Sequence, residues 1–224
     1  MPLTSAESLR FDIRGLRIVD TGSALREWVS GADDHITLHF FDQPPDIAAS
    51  LSDIAGIRRF YRERAVAAGS GLVEAEVLRV AGCAAIRIIV KTPQAAGGMN
   101  YLASLTLPFR DFSYVIKVTC LARGTAGTRE STVLNQALAS GEVKLSEKGV
   151  AQGWARDPYG DPGLHPVLWN LSDAQRHDAR FPDHALSRAR AALARIEATA
   201  RLDDTVRRAA PFVYRGGGAW WKFW

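Results

Sequence analysis

The run Phe112-Ser-Tyr-Val-Ile-Lys-Val-Thr-Cys120 is the cleanest period-two pattern in the chain. Phe112, Tyr114, Ile116, Val118 and Cys120 fall on one side, and Ser113, Lys117 and Thr119 fall on the other. One apolar face and one mixed face mark a half-buried strand. Three further runs precede it with short links. Tyr101, Ala103, Leu105 and Leu107 form an inward set closed by Pro108. Ala84, Ile86, Ile88 and Val90 alternate with Arg87 and Lys91, and Val73, Ala75 and Val77 alternate with Glu74 and Glu76. Ala81-Gly82 is a turn signal between the last two runs. The pattern predicts a four-strand antiparallel meander covered by helices.

Upstream, Ile36-Thr-Leu-His-Phe40 alternates and is ended by Pro44-Pro45, which cannot donate to a ladder. Leu9–Ile13 and Leu16–Ile18, punctuated by Arg14-Gly15, predict a short first hairpin. Residues 53–68 change to helical period, with Ile54, Ile57, Phe60 or Tyr61, Ala65 and Ala68 on one face and Gly69 as the C′ residue. Gly124–Glu130 breaks the strand pattern. A second helix is expected after it, with Thr128 as N-cap, Val133, Leu134, Ala137 and Leu138 facing inward, and Gly141 as the stop.

The composition changes near residue 150. Five of the six tryptophans follow it, and Ala151–Gly163 is rich in turn residues. Asp183, behind Pro182, reads as the N-cap of a long helix. Leu186, Ala189, Leu193, Ile196 and Ala200 then recur at spacings of 3, 4, 3 and 4, a narrow stripe like a docking or coiled-coil seam. Pro211 closes the helical stretch. Arg215-Gly-Gly-Gly218 reads as a joint before Trp220, Trp221, Phe223 and Trp224. The expected organisation is a sheet domain over 1–145, a turn-rich connector over 146–182, and a basic helix with aromatic tail over 183–224. The expected fold class is α/β of the α+β type: an antiparallel sheet with flanking helices, plus a C-terminal helical extension.

This element order, with the phrases His39-Phe-Phe-Asp42, Ile57-Arg-Arg-Phe-Tyr61 and Phe112–Val118, resembles the PsbP-like fold over residues 8–140. Ser104–Arg110 and Phe181–His184 with Leu186-Ser-Arg188 also resemble a bacterial group of that fold without assigned activity. The resemblance implies an α/β/α sandwich and a protein-binding role. It supplies no catalytic residue and no cofactor.

The chain has 224 residues, of which 47% are hydrophobic and 23% charged, and its formal net charge is +4. Residues 185–224 hold eight Lys or Arg and three Asp or Glu, so the excess positive charge is C-terminal. Cys83 and Cys120 form neither a disulfide framework nor a C-x-x-C pair. Residues 1–14 contain Glu7, Arg10, Asp12 and Arg14 and no apolar export core, so a cytoplasmic location is expected.

No motif announces a chemistry. There is no G-x-S-x-G elbow and no G-x-G-x-x-G fingerprint. His177-Asp178 and Asp183-His184 lack a metal-ligand spacing, so no metal site is expected. Gly124–Arg129 precedes a helix and makes Arg129 a weak anion-site candidate. The arginines of the long helix could follow a nucleic-acid backbone, but helix-borne charges more often make a solvated face. The leading expectation is a non-catalytic protein-binding or adaptor module with an unidentified protein partner. Its candidate contacts are Leu186, Leu193, Ile196, Trp220, Trp221, Phe223 and Trp224. The alternatives are membrane-surface association through the aromatic tail and an enzyme without a recognisable motif.

Overall fold

The computed structural model describes residues 4–95, 97–160 and 167–214. Chain order begins with β1 (Leu9–Arg10), β2 (Leu16–Thr21), β3 (Leu25–Ser30), β4 (His35–Phe41) and α1 (Ile54–Ala67). The meander follows: β5 (Gly71–Val80), β6 (Cys83–Pro93), β7 (Met99–Pro108) and β8 (Ser113–Cys120). After α2 (Thr128–Ser140) come the short strands β9 (Lys144–Leu145), β10 (Ala151–Gln152), β11 (Ala155–Arg156) and β12 (Trp169–Asn170). The described chain finishes with α3 (Ala185–Thr199), β13 (Arg201–Leu202) and α4 (Asp204–Arg207).

Seven strands form one antiparallel sheet in the order β2-β3-β4-β8-β7-β6-β5. The β5–β6 link is tight because Ala81 and Gly82 both take positive φ, 49° and 86°, as a two-residue hairpin turn requires. α1 starts where the Asp53 carboxylate accepts from Gly56 N–H at 2.8 Å. It stops where Gly69 takes φ 66°, with Gly69 N–H bonded to the Val66 carbonyl and Ser70 N–H to the Ala65 carbonyl.

One sheet face is closed by α3, which lies on β7 and β8. Trp28, Leu38, Leu105, Ile116 and Val118 meet Leu186, Ala189, Leu193 and Ile196 there in the main core. On the other face α1 lies on β5, and Ile57 packs with Ile47, Ala49 and Ile86 in a smaller cluster. The result is a mixed α/β fold: a central antiparallel sheet flanked by helices, with a C-terminal helical extension.

Three local expectations are corrected. Leu9–Ile13 does not pair with Leu16–Ile18; β1 pairs with β13, and β2 forms its hairpin with β3. The pairing of β1 depends on a strand nearly two hundred residues away, which periodicity cannot indicate. Thr128 is the first residue of α2, not its cap; Gly127 in the left-handed region precedes it. Asp183 is one residue early: His184 caps α3, its Nδ1 accepting from Leu186 N–H at 3.3 Å.

Candidate functional site

Leu186, Leu193 and Ile196, expected as partner contacts, lie inside this chain's own core. The 3-4 stripe is narrow because it fits the surface of β7 and β8, not because it awaits another helix. Trp220, Trp221, Phe223 and Trp224 lie outside the described residues. Arg129 is not an anion cradle. It is buried at 1% exposure and donates to the Ser172 carbonyl at 2.7 Å, the Ala174 carbonyl at 3.1 Å, Ser187 Oγ at 2.7 Å and Asp178 Oδ1 at 2.9 Å. Those contacts satisfy the fork within the chain.

Arg129 belongs to a larger ionic layer between the sheet and the segment before α3. Lys91 Nζ contacts Asp173 Oδ2 at 2.5 Å, and both side chains are almost wholly buried. The same carboxylate accepts from Tyr101 O–H at 3.2 Å and from Asn170 N–H at 2.9 Å. Burial, then the Asp173 charge, pushes the Tyr101 phenol well above its ordinary range. Arg190 donates to Glu74 at 3.0 Å, to Asp178 at 3.1 Å and to the Asp173 carbonyl at 2.8 Å. Arg87 bridges Glu74 and Glu197 at 3.2 and 3.3 Å. Every charge in this layer faces an opposite charge or a carbonyl, so the layer works as a clamp. The sequence reading missed it because Lys91 and Arg87 occupy the polar positions of a period-two strand. Their face is covered by α3 and by Leu171–Asp173, which arrive much later in the chain.

The remaining polar candidates are equally engaged. Asp178 is held by Arg129 and Arg190, while His184 Nε2 lies 3.4 Å from Glu130 Oε1. Among the described residues no group of three or more His, Cys, Asp or Glu is placed to hold a metal ion. Burial pushes the Cys120 thiol far up and raises Cys83 as well. Arg188 pairs with Asp34 at 2.9 Å, Arg195 with Asp12 at 3.1 Å and Arg207 with Asp204 at 2.6 Å, so these cations do not form an open track. An open depression of about 310 Å³ borders α2 beside Val133, Ser140, Glu142 and His177. Its serine donates to the Ala137 carbonyl of its own helix at 3.2 Å, and Glu142 faces Arg176 at 3.3 Å. No described helix is long and apolar enough to cross a membrane.

The β3-β4-β8 half of the second sheet face has a different character. Register places Leu25 beside His39 and Val115, and Glu27 beside Thr37 and Lys117. The His39 and Phe41 rings stack at 5.8 Å and 9° on this face, and Phe41 is 37% exposed. His39 Nε2 lies 3.0 Å from Thr37 Oγ1, and His35 Nδ1 lies 2.9 Å from Glu27 Oε1. Burial and then the Lys117 charge hold the His39 imidazole below its ordinary value. Near this half, Pro211 bridges Phe109 and Phe212 packs into the α1 cluster, leaving Val213 and Tyr214 exposed.

No family model and no curated protein matches the sequence. The chain is similar to the solution structure of cyanobacterial PsbP (CyanoP) from Synechocystis sp. PCC 6803, at 15% identity, over 62% of this chain and 91% of that one, with a TM-score of 0.37. It is also similar to a Pseudomonas aeruginosa protein of unknown function titled a putative regulator, at 12% identity, over 55% of this chain and 93% of that one, TM-score 0.31. A Bacteroides thetaiotaomicron VPI-5482 crystal structure matches at 6% identity and TM-score 0.35, over 55% of this chain and 41% of that one. The match therefore spans less than half the length of the Bacteroides chain.

Proposed function

We propose that this chain is a non-catalytic protein-binding module of the PsbP-like kind, and that its partner rests against the β3-β4-β8 half of the sheet. The observation that carries the proposal is the unequal cover of the two faces. One is sealed by α3 and the ionic clamp, while the other is covered by α1 chiefly along β5 and keeps a stacked His39–Phe41 pair at its surface. Stacked aromatics on a mixed apolar and polar surface suit a protein contact. Two phrases that carry the PsbP-like resemblance, His39–Asp42 and Ile57–Tyr61, border this face. The charges of the buried layer serve one another, which favours binding over catalysis.

The test is site-specific photo-crosslinking of the full-length chain in cells. A crosslinker at Phe41 or Leu25 should capture one discrete protein, and a crosslinker at Leu145, more exposed but on β9, should not. Val115→Lys should abolish capture while leaving the circular dichroism spectrum unchanged. No adduct from the sheet face, or the same adducts from Leu145, would refute the reading.

A further inference from the structure

The two edges of the sheet are finished differently. At β5, the Tyr159 hydroxyl oxygen accepts from Ala75 N–H at 3.3 Å, and the Val167 carbonyl sits where a Cβ on Gly71 would stand. At β2, Arg17, Ile18, Val19, Asp20 and Thr21 are all exposed. Among the described residues their only backbone hydrogen-bonding neighbour is β3. An open edge is a template for another strand.

Counting along the ladder to β3, the edge has five rungs. Leu16, Arg17, Ile18, Asp20 and Thr21 stand opposite Ser30, Val29, Trp28, Glu27 and Arg26, and a bulge leaves Val19 without a partner. The bulge shifts the alternation by one, so Arg17 and Asp20 lie on the same sheet face, as do Leu16, Ile18 and Thr21. A two-fold axis normal to the sheet through the middle rung would bring Ile18 against Ile18 of a second copy. It would also set each Arg17 opposite the other copy's Asp20, on one face, twice. Without that second copy, Arg17 and Asp20 enter no ion pair among the described residues. Asp20 instead stands across from Glu27, a like-charge pair that a neighbouring arginine would relieve. Charges on an edge normally repel an arbitrary strand. Here they match this strand's own order read backwards.

We propose that β2 pairs antiparallel with β2 of a second copy of this chain, joining the two sheets through an isologous edge. The β2 edge adjoins the face assigned to a partner above, but the inference rests on the edge and its charges and does not depend on that assignment. One short strand per copy is a small interface, so the association belongs to the weak class.

The test is sedimentation equilibrium of the full chain up to millimolar concentration, with Arg17→Asp, Asp20→Arg and the double variant. The unmodified chain should dimerise and weaken with added salt. Each single reversal places like charges opposite one another at both symmetry-related positions and should weaken association by about tenfold or more. The double variant should recover it. Mixing the two single variants should give a heterodimer, because each copy then supplies the charge the other lacks. All substituted side chains are exposed, so unchanged circular dichroism will separate a lost interface from a lost fold. A chain that stays monomeric, a dimer indifferent to single reversal, or a double variant that stays dissociated would each overturn the proposal. So would an edge that binds a foreign extended peptide but never its own copy.

Discussion

Replacing Lys91 by methionine is the sharpest perturbation of the clamp. The ammonium lies 2.5 Å from the Asp173 carboxylate, at 2% and 1% side-chain exposure. At an effective dielectric constant of about 20, that contact amounts to about 7 kcal/mol of Coulomb attraction. Desolvating both ions offsets much of it, so the net value of the pair is far smaller. Breaking it is another matter. Lys91→Met leaves a buried carboxylate with only the Tyr101 and Asn170 donors, and the expected loss is about 3–5 kcal/mol. Asp173→Asn strands the ammonium instead and should cost a similar amount. The double variant restores neutrality, and an asparagine oxygen can still accept from Tyr101 or Asn170. It should therefore lose much less than the sum, with a coupling near 3 kcal/mol. The assay is urea unfolding of all four proteins, followed by tryptophan fluorescence and by far-ultraviolet circular dichroism at constant m-value. Losses that add to within about 0.5 kcal/mol would show that the two side chains do not act as a pair.

Arg129→Lys is expected to lose about 3 kcal/mol in the same assay, since one ammonium cannot reproduce the guanidinium's contacts to two carbonyls, Ser187 and Asp178; an unchanged urea midpoint would contradict that geometry. Leu193→Ala removes a fully buried contact between α3 and the sheet and should cost about 2–5 kcal/mol. The His39 imidazole binds its proton less readily folded than unfolded, so stability present above about pH 6.5 should be lost as pH falls towards the lowered folded value. His39→Asn should therefore show a smaller drop in Tm between about pH 7.5 and about pH 5.5 than the unmodified chain, and equal drops would remove His39 as the cause.

The meander was legible because each strand repeats its apolar residues at period two and each turn carries its own chemistry, as Ala81-Gly82 and Gly69 show. Element order gave the layers as well. The sequence does not display which side of β6 is buried. Ile86 and Ile88 point towards α1, while Arg87 and Lys91 point under α3, so that strand is covered on both sides and its charges are internal. Nothing near them in the sequence marks these charges as internal, since Asp173 lies 82 residues from Lys91 and Asp178 lies 49 from Arg129. The stripe from Leu186 to Ala200 was visible too, but a spacing of 3 and 4 specifies a face and not what covers it. For the proposed binding face the phrase His39–Asp42 was in view, yet its exposure depends on where α1 and residues 42–53 lie.

The stripe and the clamp divide the work of placing α3. A helix whose apolar contacts recur every three or four residues can slide one turn, about 5.4 Å, and still bury a similar stripe. Ala189 and Leu193 would exchange places at modest cost in apolar area. The polar contacts do not tolerate that slide. Arg190 reaches Glu74, Asp178 and the Asp173 carbonyl, and Arg188 reaches Asp34 and the Leu121 carbonyl, from one axial position only. Buried or half-buried ion pairs add little net stability but can fix register. The double variant Arg188→Met/Arg190→Met is therefore expected to keep its helix content, because Glu74 retains Arg87, Asp178 retains Arg129 and Asp34 retains Ser30. Its amide spectrum should show doubled or broadened resonances for β7, β8 and α3, as the helix samples two positions. A single sharp set of peaks would show that side-chain packing alone holds the helix in place.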